Sequence, residues 1–511
     1  GRRATHAILS AYKGALNMPK LSMLLAGFGC VDPNDDIVVS GLAIDSRQVG
    51  HGDLFLACSG AEHHGLDFIE DVLLKRPAAV VWEPGGEYVD VESLPRNELV
   101  PYIAVPNLSQ HLAKIASRFY GNPSADLMTV GITGTDGKTS CSHFVAQALT
   151  ALNDFPCGVL GTLGYGMYGA LVPGSRTTPN AVELQSVLAD VKEIGAKQVV
   201  MEVSSHALDQ GRVDEVSYDI AVLTNLSRDH LDYHQTVEAY GDAKRKLFHK
   251  EGLKLRVINI DDEFGRSVFE ECADKPCLTY GFSDDAQVKG SHLQLTSNGV
   301  SFWVETPFGK GRVESRLLGD FNAKNLMAVI GVLLGMGVSL EAALHSIQSI
   351  CPVDGRMERL GGDASPMVVV DYAHTPNALE QVLKALRPYA LGRLVCVFGC
   401  GGERDKGKRP IMGEIAYELS DHVVVTSDNP RSESPIGIID EILEGCPDLS
   451  KVDVEVDRAS AIEWAITNAE PGDVVLIAGK GHETYQQVNG RELPFDDRSE
   501  VKKVLRGGGN C

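Results

Sequence analysis

The chain has 511 residues, of which 43% are hydrophobic and 23% are charged, a composition typical of folded globular proteins. Its formal net charge of -22 argues against nucleic acid or an anionic membrane as the main partner, so an anionic substrate would need local clusters of arginine and lysine. No apolar run approaches the roughly 18 residues of a membrane-spanning helix, and the length predicts about three domains.

The cysteines and the amino terminus bear on where the protein works. Eleven cysteines are scattered singly without a C-x-x-C pair, which predicts a reducing compartment, the cytoplasm, rather than a disulfide or zinc framework. Residues 1–17 are basic but lack the apolar segment of a secretory signal. We interpret residues 1–17 as an expression-derived or disordered extension; a native extension or a partly trimmed transit peptide is the alternative.

Residues 18–122 are predicted to form a small α/β domain. Short apolar segments typical of β-strands alternate there with helical stretches. The predicted strands are 37–45, 52–57, 78–82 and 102–105. The tetrapeptide GNPS at 121–124 interrupts this pattern and predicts a hinge.

Residues 123–350 are predicted to form a second domain, built around a glycine-rich loop. The segment GITGTDGKTS, residues 131–140, follows a predicted strand at 127–130 and precedes a stretch with helical periodicity. In that setting backbone N–H groups face phosphate oxygens, Lys138 supplies positive charge, and Thr139 or Ser140 offers a hydroxyl to Mg²⁺. Ile132 stands where the strict pattern has its first glycine, and a tight turn with a surface lysine is the alternative interpretation.

Phosphoryl transfer also needs metal ligands, and two residues of this domain are candidates. Glu202 lies near the end of a predicted strand at 198–203, and His230 lies in the segment TNLSRDHLDYH, which overlaps the end of another at 219–224. Mg²⁺ prefers oxygen ligands, which makes a single histidine a less usual choice. A cap or ion pair is the alternative for Glu202, and a structural histidine is the alternative for His230. The remaining predicted elements are a strand at 255–260 and a helix at 323–336.

Residues 351–511 are predicted to form a third domain, with a linker at 351–359. Four apolar strands alternate with helical stretches, which predicts a doubly wound sheet. These strands are 367–370, 394–398, 423–426 and 474–478. Glycine-rich segments follow two of them, and ligands of open α/β sheets bind outside the carboxyl ends of the strands.

Ten segments, in order, resemble the Mur ligases and together cover nearly the whole chain after Met18. They are GITGTDGKTS, MEVSSHALDQGR, TNLSRDHLDYH, YGDAKRKLF, GDFNAKN, GRMER, VVVDYAHTP, FGCGGERDKGKRP, SDNPRSESP and AGKGHETY. The resemblance implies an α/β protein with a small UDP-sugar-binding domain, a central P-loop ATPase-like domain with a mostly parallel sheet, and a Rossmann-like carboxyl-terminal domain. Within the family the set is similar to the ligases that add meso-diaminopimelate to UDP-N-acetylmuramoyl-L-alanyl-D-glutamate.

The resemblance implies an ATP site with Mg²⁺. The implied nucleotide-binding residues are Gly131, Thr133, Gly134, Thr135, Asp136, Gly137, Lys138, Thr139, Ser140, Asn325, Arg356, Asp371 and His374. The implied metal ligands are Thr139, Glu202, His230 and Lys244, the last as a carbamate (N6-carboxylysine) formed with CO₂. A carbamate would turn a cation into a carboxylate-like anion able to help hold a metal, although the sequence alone shows a lysine on a basic helix. The implied catalytic residues are Lys138, Lys244, His230 and Arg356.

Two further sets of residues resemble substrate contacts. The set implied for the UDP-dipeptide is Ile44, Ser46, Ala61, Glu62, His63, Thr177, Thr178, Ser204, Gln210 and Arg212. The set implied for diaminopimelate is Arg404, Asp428, Asn429, Pro430, Arg431, Gly479 and Glu483. Hydroxyls, amides and guanidinium groups suit an anionic dipeptide.

The tetrapeptide DNPR, residues 428–431, is the most informative for the acceptor amino acid. Diaminopimelate carries a distal ammonium and carboxylate, which lysine only half possesses. Arg431 can clamp that carboxylate in a bidentate manner, and Asp428 and Glu483 can receive the ammonium. By itself DNPR would be a surface turn that ends a strand.

Asp136 departs from the asparagine more often found in the family, and a carboxylate near the γ-phosphate puts ATP affinity in question. Three functions therefore stay open. The first is an ATP-dependent amide ligase acting through an acyl phosphate, as a cytoplasmic monomer in peptidoglycan precursor synthesis. The second is a lysine-adding or folylpolyglutamate-type ligase with the same fold, and the third is a catalytically silent scaffold.

Overall fold

The computed structural model describes residues 18–60, 63–85, 95, 99–153, 155–174, 176–296, 299–362 and 365–507. The predicted extension 1–17 and the predicted UDP-dipeptide residues Ala61 and Glu62 lie outside the described residues. Nowhere in the described ranges is a helix long and apolar enough to cross a membrane.

The helices alternate with strands along most of the chain. The α-helices are α1 Leu21–Leu25, α2 Ile69–Leu74, α3 Leu108–Phe119, α4 Lys138–Asn153, α5 Ala181–Ile194, α6 Ser205–Asp209, α7 Leu231–His234, α8 Val237–Phe248, α9 Glu263–Glu271, α10 Asp320–Gly335, α11 Leu340–Gln348, α12 Pro376–Leu386, α13 Lys408–Leu419, α14 Pro435–Leu443, α15 Arg458–Thr467 and α16 Asp497–Gly507. Short 3-10 helices span Ser46–Gln48, Gly65–Phe68, Pro123–Asp126 and Arg387–Tyr389.

The strands fall into three main sheets and one hairpin. The first eleven are β1 Gly41–Ala43, β2 Asp53–Ala57, β3 Ala79–Trp82, β4 Tyr102–Ala104, β5 Met128–Thr133, β6 Gly158–Gly161, β7 Gly164–Met167, β8 Gln198–Glu202, β9 Ile220–Leu223, β10 Leu255–Asn259 and β11 Cys277–Gly281. The others are β12 Val288–Thr296, β13 Gly299–Thr306, β14 Gly309–Ser315, β15 Glu358–Gly361, β16 Met367–Asp371, β17 Leu394–Phe398, β18 His422–Val425, β19 Val452–Val454, β20 Val474–Ala478, β21 Tyr485–Val488 and β22 Arg491–Pro494.

The chain divides into two compact units, the first of which holds a parallel four-stranded sheet. This unit comprises Gly1–Met128, Thr178–Lys197 and His206–Ser217. Its sheet has the order β1-β2-β3-β4, and buried side chains of β2 and β3 pack against α1 and α3. The strand predicted at 37–45 pairs in this sheet only over β1, because Val38 and Val39 pair with the segment before α1 instead.

The second unit contains a ten-stranded sheet, and the glycine-rich loop follows its strand β5. Its order is β14-β13-β12-β11-β10-β9-β5-β8-β6-β7. The predicted buried strands β5, β8, β9 and β10 lie in its mostly parallel centre, and α10 is buried along most of its length. Antiparallel pairs at both ends of the sheet escaped prediction. At one end, β12 and β14 expose alternate residues and lack a continuous apolar run.

The six-stranded sheet of the second unit has the order β15-β16-β20-β17-β18-β19. All its pairs are parallel except that between β15 and β16. Alternate residues of β16 enter separate apolar clusters on the two faces, which is the predicted doubly wound arrangement. Glu358 and Arg359, interpreted from the sequence as linker, lie in the edge strand β15. The α/β fold class predicted from the sequence is confirmed.

Candidate functional site

The glycine-rich loop begins later than the sequence motif suggests. Strand β5 continues through Thr133, so Gly131 lies inside the strand. A Cβ atom built on Gly131 would lie 2.7 Å from Cε1 of Tyr218, which explains the glycine by packing. Thr133 is fully buried at the end of the same strand. The displaced glycine of the motif therefore serves the sheet, and the loop proper starts at Gly134.

The two residues that follow strand β9, Thr224 and Asn225, bind the loop. Gly134 has φ +151, and a Cβ atom there would lie 1.8 Å from Oγ1 of Thr224. That hydroxyl donates to the carbonyl of Asp136 at 2.6 Å, and the N–H of Asp136 donates to Oδ1 of Asn225 at 2.9 Å. Hydrogen bonds within the protein thus fix the conformation of the loop without a nucleotide.

Two lysines share one carbonyl of the loop. The Nζ atom of Lys138 donates to the carbonyls of Gly134 at 2.8 Å and Thr135 at 2.9 Å. The Nζ atom of Lys244, whose side chain is buried, also donates to the carbonyl of Gly134, at 2.9 Å, and lies 4.3 Å from the centre of the Tyr240 ring. Burial, and then the charge of Lys138, hold the pKa of Lys244 well below its usual range. Burial likewise lowers the pKa of Lys138.

Glu202 brings hydroxyl groups together beside the loop. Oε2 of this buried carboxylate accepts the hydroxyl of Thr139 at 2.9 Å and that of Thr162 at 3.1 Å, while Oε1 accepts the Thr162 N–H at 2.8 Å. The described residues contain no cluster of three His, Cys, Asp or Glu side chains able to hold a metal ion. An oxygen-only partial shell of this kind nevertheless fits Mg²⁺, which is usually bound by one or two carboxylates together with substrate phosphates.

His230 lies close to the ring of Tyr240. Its backbone has φ +54, and Nε2 lies 3.5 Å from Oδ2 of Asp229. The centres of the His230 and Tyr240 rings are 5.9 Å apart, and Tyr240 in turn contacts Lys244. The hydroxyl of Tyr240 lies 3.2 Å from that of Thr135 in the loop. Tyr240, which the sequence reasoning did not single out, connects these predicted residues.

Asn325 lies beneath the loop on α10. Its Nδ2 donates to Oδ1 of Asn322 at 3.0 Å, and its Oδ1 accepts the thiol of Cys141 at 3.3 Å. A Cβ atom on Gly137 would lie 2.9 Å from that same oxygen. The structure therefore places Asn325 beside the loop, and its contact with the nucleotide stays a prediction.

Arg356 approaches the site from the segment before β15. Its guanidinium lies 4.5 Å from the centre of the Tyr372 ring, and its buried Nε has no hydrogen-bond partner among the described residues. Asp371 is buried, and its carboxylate accepts the N–H groups of Met357 at 2.7 Å and Ala373 at 2.8 Å. Burial raises the pKa of Asp371, although Arg356 opposes this. An unpaired, buried guanidinium nitrogen fits an anionic ligand such as a phosphate.

The carboxylate of Asp136 is bound by a residue of the six-stranded sheet's first helix. Asn377, in the first turn of α12, donates from Nδ2 to Oδ2 of Asp136 at 3.2 Å and to Oγ of Ser227 at 3.3 Å. His374, just before this helix, keeps Nδ1 2.9 Å from the carbonyl of Tyr372. Asn377 was missed by sequence reasoning, although it directly follows the motif VVVDYAHTP.

The predicted acceptor residues meet at the carboxyl ends of β18 and β20. Nδ2 of Asn429 donates to Oε2 of Glu483 at 2.8 Å. Lys480, whose side chain is fully buried, donates to that same oxygen at 2.8 Å and to Oδ1 of Asn429 at 2.9 Å. A Cβ atom on Gly479 would lie 2.6 Å from Oδ2 of Asp428. Lys480 was not predicted, although the motif AGKGHETY contains it.

Arg431 is fixed through its backbone. It has φ +54, its N–H donates to the carbonyl of Gln487 at 2.9 Å, and its carbonyl accepts the N–H of Asn489 at 2.7 Å. Gln487 lies in β21, and Asn489 lies in the turn between β21 and β22. Nη1 of Arg431 donates to the carbonyl of Gly402 at 2.6 Å. The carbonyl of Pro430 lies against Gly402, 2.0 Å from the position that a Cβ atom on this glycine would take. Arg404, two residues after Gly402, is exposed.

The residues predicted for the UDP-dipeptide are divided between the two units. In the first unit, Nη1 of Arg212 donates to the carbonyl of Thr178 at 3.1 Å and its Nε donates to Oε1 of Gln210 at 2.9 Å. Ser46 lies two residues after Ile44, and its carbonyl accepts a hydrogen bond from Nζ of Lys75 at 2.7 Å. Nδ1 of His63 lies 3.6 Å from Oδ2 of Asp67. In the second unit, the hydroxyls of Thr177 and Thr162 are 3.1 Å apart, and Ser204 follows β8.

Two buried histidines near Arg356 make stability depend on pH. Within the described ranges, Nε2 of His143 and Nδ1 of His482 have no hydrogen-bond partner. Burial lowers the pKa of His143 from 6.5 to about 4, and burial lowers that of His482 to about 4 as well. Between pH 6.5 and about 4 the unfolded chain binds protons that the folded chain does not, so stability present above this range is lost as the pH falls through it.

Replacing His143 by glutamine is therefore expected to flatten the pH dependence of folding. At about 1.4 kcal/mol per pKa unit, the variant should retain about 3 kcal/mol more of its neutral-pH unfolding free energy at pH 4 than the unchanged chain. Urea unfolding from pH 7 to 4 measures this, with His345→Gln on the exposed face of α11 as the matched control. Equal slopes for all three proteins would contradict the buried neutral state of His143.

Family models match three consecutive parts of the chain. Residues 38–120 match "Mur ligase family, catalytic domain", residues 132–333 match "Mur ligase middle domain", and residues 355–481 match "Mur ligase, glutamate ligase domain".

Relatives match over nearly the full length. A UDP-N-acetylmuramoyl-L-alanyl-D-glutamate–2,6-diaminopimelate ligase of Pseudomonas aeruginosa is 49% identical over 471 residues, which is 92% of this chain and 96% of the relative. The ligase of the same name from Coxiella burnetii is 44% identical over 476 residues, which is likewise 92% of this chain and 96% of the relative. A solved structure of such a ligase aligns with a TM-score of 0.66 at 35% identity, covering 93% of this chain and 96% of that one.

A more distant structure shares the fold alone. Folylpolyglutamate synthase of Mycobacterium tuberculosis aligns with a TM-score of 0.60 at 18% identity, covering 72% of this chain and 92% of that one. The family models account for more than half of the sequence, and the relatives exceed 40% identity over more than nine-tenths of it. The resemblance predicted from the ten sequence segments is confirmed: the chain belongs to the Mur ligase family.

Proposed function

We propose that the chain is an ATP-dependent amide ligase that joins meso-2,6-diaminopimelate to UDP-N-acetylmuramoyl-L-alanyl-D-glutamate in peptidoglycan precursor synthesis. Relatives with 44% to 49% identity over nearly the whole chain carry that activity in their names. The observation that carries the choice of acceptor is the DNPR loop, where the backbone of Arg431 is fixed beside the pair Asn429–Glu483. A guanidinium carried on a fixed backbone, in the same loop as Asp428, suits an acceptor with both a distal carboxylate and a distal ammonium.

The chemistry requires no protein nucleophile. The γ-carboxylate of D-glutamate attacks the γ-phosphorus of ATP, which gives an acyl phosphate and ADP. The amine of diaminopimelate, having lost its proton, attacks the acyl carbon, and the tetrahedral intermediate collapses to amide and phosphate. Lys138 and Arg356 would stabilise the charge that develops on the phosphoryl group, Lys138 by turning from the carbonyls it now binds.

The residues around Glu202 and the loop suit a magnesium ion. Glu202, the hydroxyl of Thr139, His230 and Lys244 as a carbamate would hold it. When bound, Mg²⁺ neutralises charge on the phosphate oxygens of ATP. Lys244 fits carbamate formation, because an uncharged amine is the form that reacts with CO₂ and burial lowers the pKa of this lysine.

The three-domain division is proposed to separate the substrates. Residues 18–122 would bind the UDP-sugar, 123–350 ATP and 351–511 the acceptor. In the acceptor site, Oε2 of Glu483 already accepts the Lys480 ammonium at 2.8 Å, so Asp428 is the freer acid for the distal ammonium of the acceptor. The cytoplasmic location and the monomeric state predicted from the sequence stay predictions.

Release of phosphate from ATP in the presence of different acceptors tests the function. We expect release and amide formation only when the UDP-dipeptide and meso-diaminopimelate are both present. Equal or better use of L-lysine would assign the chain to the lysine-adding type, and use of a folate acceptor would assign it to the folylpolyglutamate type. A purified protein that binds neither ATP nor the UDP-dipeptide would be a silent scaffold.

A further inference from the structure

A buried ion pair lies behind the acceptor site, which we define as Asp428, Asn429, Arg431, Gly479 and Glu483. Arg458 is the first residue of α15, and Asp497 is the first residue of α16. Both side chains are 0% exposed. Nε of Arg458 donates to Oδ1 of Asp497 at 2.7 Å, and Nη2 donates to Oδ2 at 2.7 Å, so the carboxylate is clamped in a bidentate manner.

The remaining N–H groups of Arg458 reach two strand ends. Nη2 also donates to the carbonyl of Ala478, the last residue of β20, at 2.9 Å, and Nη1 donates to the carbonyl of Ser427, just after β18, at 3.3 Å. Strands β18 and β20 are not neighbours, because β17 lies between them. A single guanidinium therefore spans the carboxyl end of β17 and ties together the two strands on either side.

The tied carbonyls immediately precede two residues of the acceptor site. Asp428 follows Ser427, and Gly479 follows Ala478. The carboxylate of Asp428 lies against Gly479, where a Cβ atom would be 2.6 Å from Oδ2. The separation of these two residues is set by backbone that Arg458 holds on both sides.

Arg458 also contributes charge to the acceptor site. Burial by itself would lower its pKa, but Asp497 first, and Asp428 and Glu483 after it, outweigh burial and raise it. The two acids of the acceptor site thus face a guanidinium whose own charge is balanced by Asp497. Buried ion pairs are often replaceable by apolar side chains without loss of stability, so stability alone does not account for this pair.

We propose that Arg458, held in place by Asp497, is a positioning residue that sets the spacing of Asp428 and Gly479 and thereby the affinity for the acceptor amino acid. It touches no substrate and acts through the two carbonyls. The inference rests on the proposed function, because it takes these residues to bind the acceptor.

The double variant Arg458→Met/Asp497→Leu tests this role in the full chain. It removes both ties while keeping an apolar pair of similar size in the buried space. We expect KM for meso-diaminopimelate to rise about 10- to 100-fold, while KM for ATP and for the UDP-dipeptide and the melting temperature change little. Arg458→Lys, which keeps the charge but has fewer donors, should give an intermediate KM.

The amino ends of the strands in the same sheet offer a control pair. Arg393 and Asp473 form a pair at 3.0 Å just before β17 and β20. Arg393→Met/Asp473→Leu should leave KM for diaminopimelate within about twofold of the unchanged value. An unchanged KM in the folded Arg458→Met/Asp497→Leu protein would overturn the positioning role.

Three further outcomes are distinguishable. If the double variant does not fold, Arg458→Lys and Asp497→Asn carry the test, and an unchanged KM for the acceptor in both overturns the proposal. If the unchanged protein itself does not ligate diaminopimelate, the proposed function fails and this inference fails with it. If the unchanged protein ligates diaminopimelate and only the variants show no effect, the proposed function stands and the positioning role alone is lost.

Discussion

Replacing Lys244 by alanine is expected to lower kcat/KM for ligation by about 10²- to 10³-fold, the range seen when one preorganised electrostatic group is removed. Lys246→Ala, an exposed lysine on the same helix, should stay within about twofold of the unchanged protein. Steady-state kinetics with all three substrates measures the difference. Because both changes remove one lysine from α8, general loss of positive charge on that helix cannot explain a difference between them.

The physical reason lies in where the Lys244 amine is held. It is 1% exposed, it shares the carbonyl of Gly134 with Lys138, and its pKa is well below its usual range because of burial and the neighbouring charge of Lys138. An ammonium on Lys244 would be repelled by that of Lys138 on the same carbonyl, whereas a carbamate on Lys244 would be attracted to Lys138. We therefore expect the active protein to carry the mass of one CO₂ on the peptide that contains Lys244.

The carbamate role has two independent readouts. Short carboxylates such as formate or acetate should restore part of the activity of Lys244→Ala and none of the activity of a Lys138→Ala protein. Mass spectrometry under native conditions should show the added CO₂, lost on acidification. Full activity of Lys244→Ala without added carboxylate would refute the role.

The sequence predicted best those parts of the fold that are buried on both faces. Strands β17 and β20 were predicted at their observed bounds, 394–398 and 474–478, because their residues form continuous apolar runs. Strand β13, with Trp303 half-exposed, and the edge strand β19 lack such runs and were missed. Exposure of one face removes the local signal, so these strands are recognised only from their pairing.

The candidate site shows the same division. Lys138 and Glu202 were found because motif chemistry names them, and the structure brings them together through Thr139. The bond from Asn377 to Asp136 joins residues 241 positions apart and has no local signature. This bond gives the Asp136 carboxylate a neutral amide donor, while the effect of that carboxylate on ATP affinity stays a prediction.

The second large effect is expected at Arg431, where Arg431→Asn should lower kcat/KM for meso-diaminopimelate by about 30- to several thousand-fold. This corresponds to the 2–5 kcal/mol typical of truncating one partner of a desolvated, hydrogen-bonded charge pair, at about 1.4 kcal/mol per factor of ten. Asparagine is chosen because the backbone here has φ +54, a conformation that asparagine adopts more readily than most residues. The substitution thus removes the guanidinium while preserving the loop that Gln487 and Asn489 hold.

Selectivity between acceptors separates carboxylate binding from simple loss of activity. Lysine lacks the distal carboxylate, so its residual use should be nearly the same in the unchanged protein and in Arg431→Asn, and KM for ATP should not move. Arg431→Lys should fall between the two, because an ammonium keeps the charge but cannot form the bidentate contact. Arg491→Asn, an exposed arginine on the adjoining strand β22, is the matched control and should keep full use of diaminopimelate.

The pattern of losses decides how Arg431 acts. A fall that is equal for every acceptor and for ATP would mean that the variant disturbs the loop and its contact with Gly402, not the recognition of a carboxylate. Unchanged use of diaminopimelate would move the carboxylate to another cation, and the exposed Arg404 of the neighbouring loop would be the next to replace. A selective fall for diaminopimelate, with lysine unaffected, is the outcome that only a direct contact between the guanidinium and the distal carboxylate produces, because no other difference between the two acceptors lies at that position.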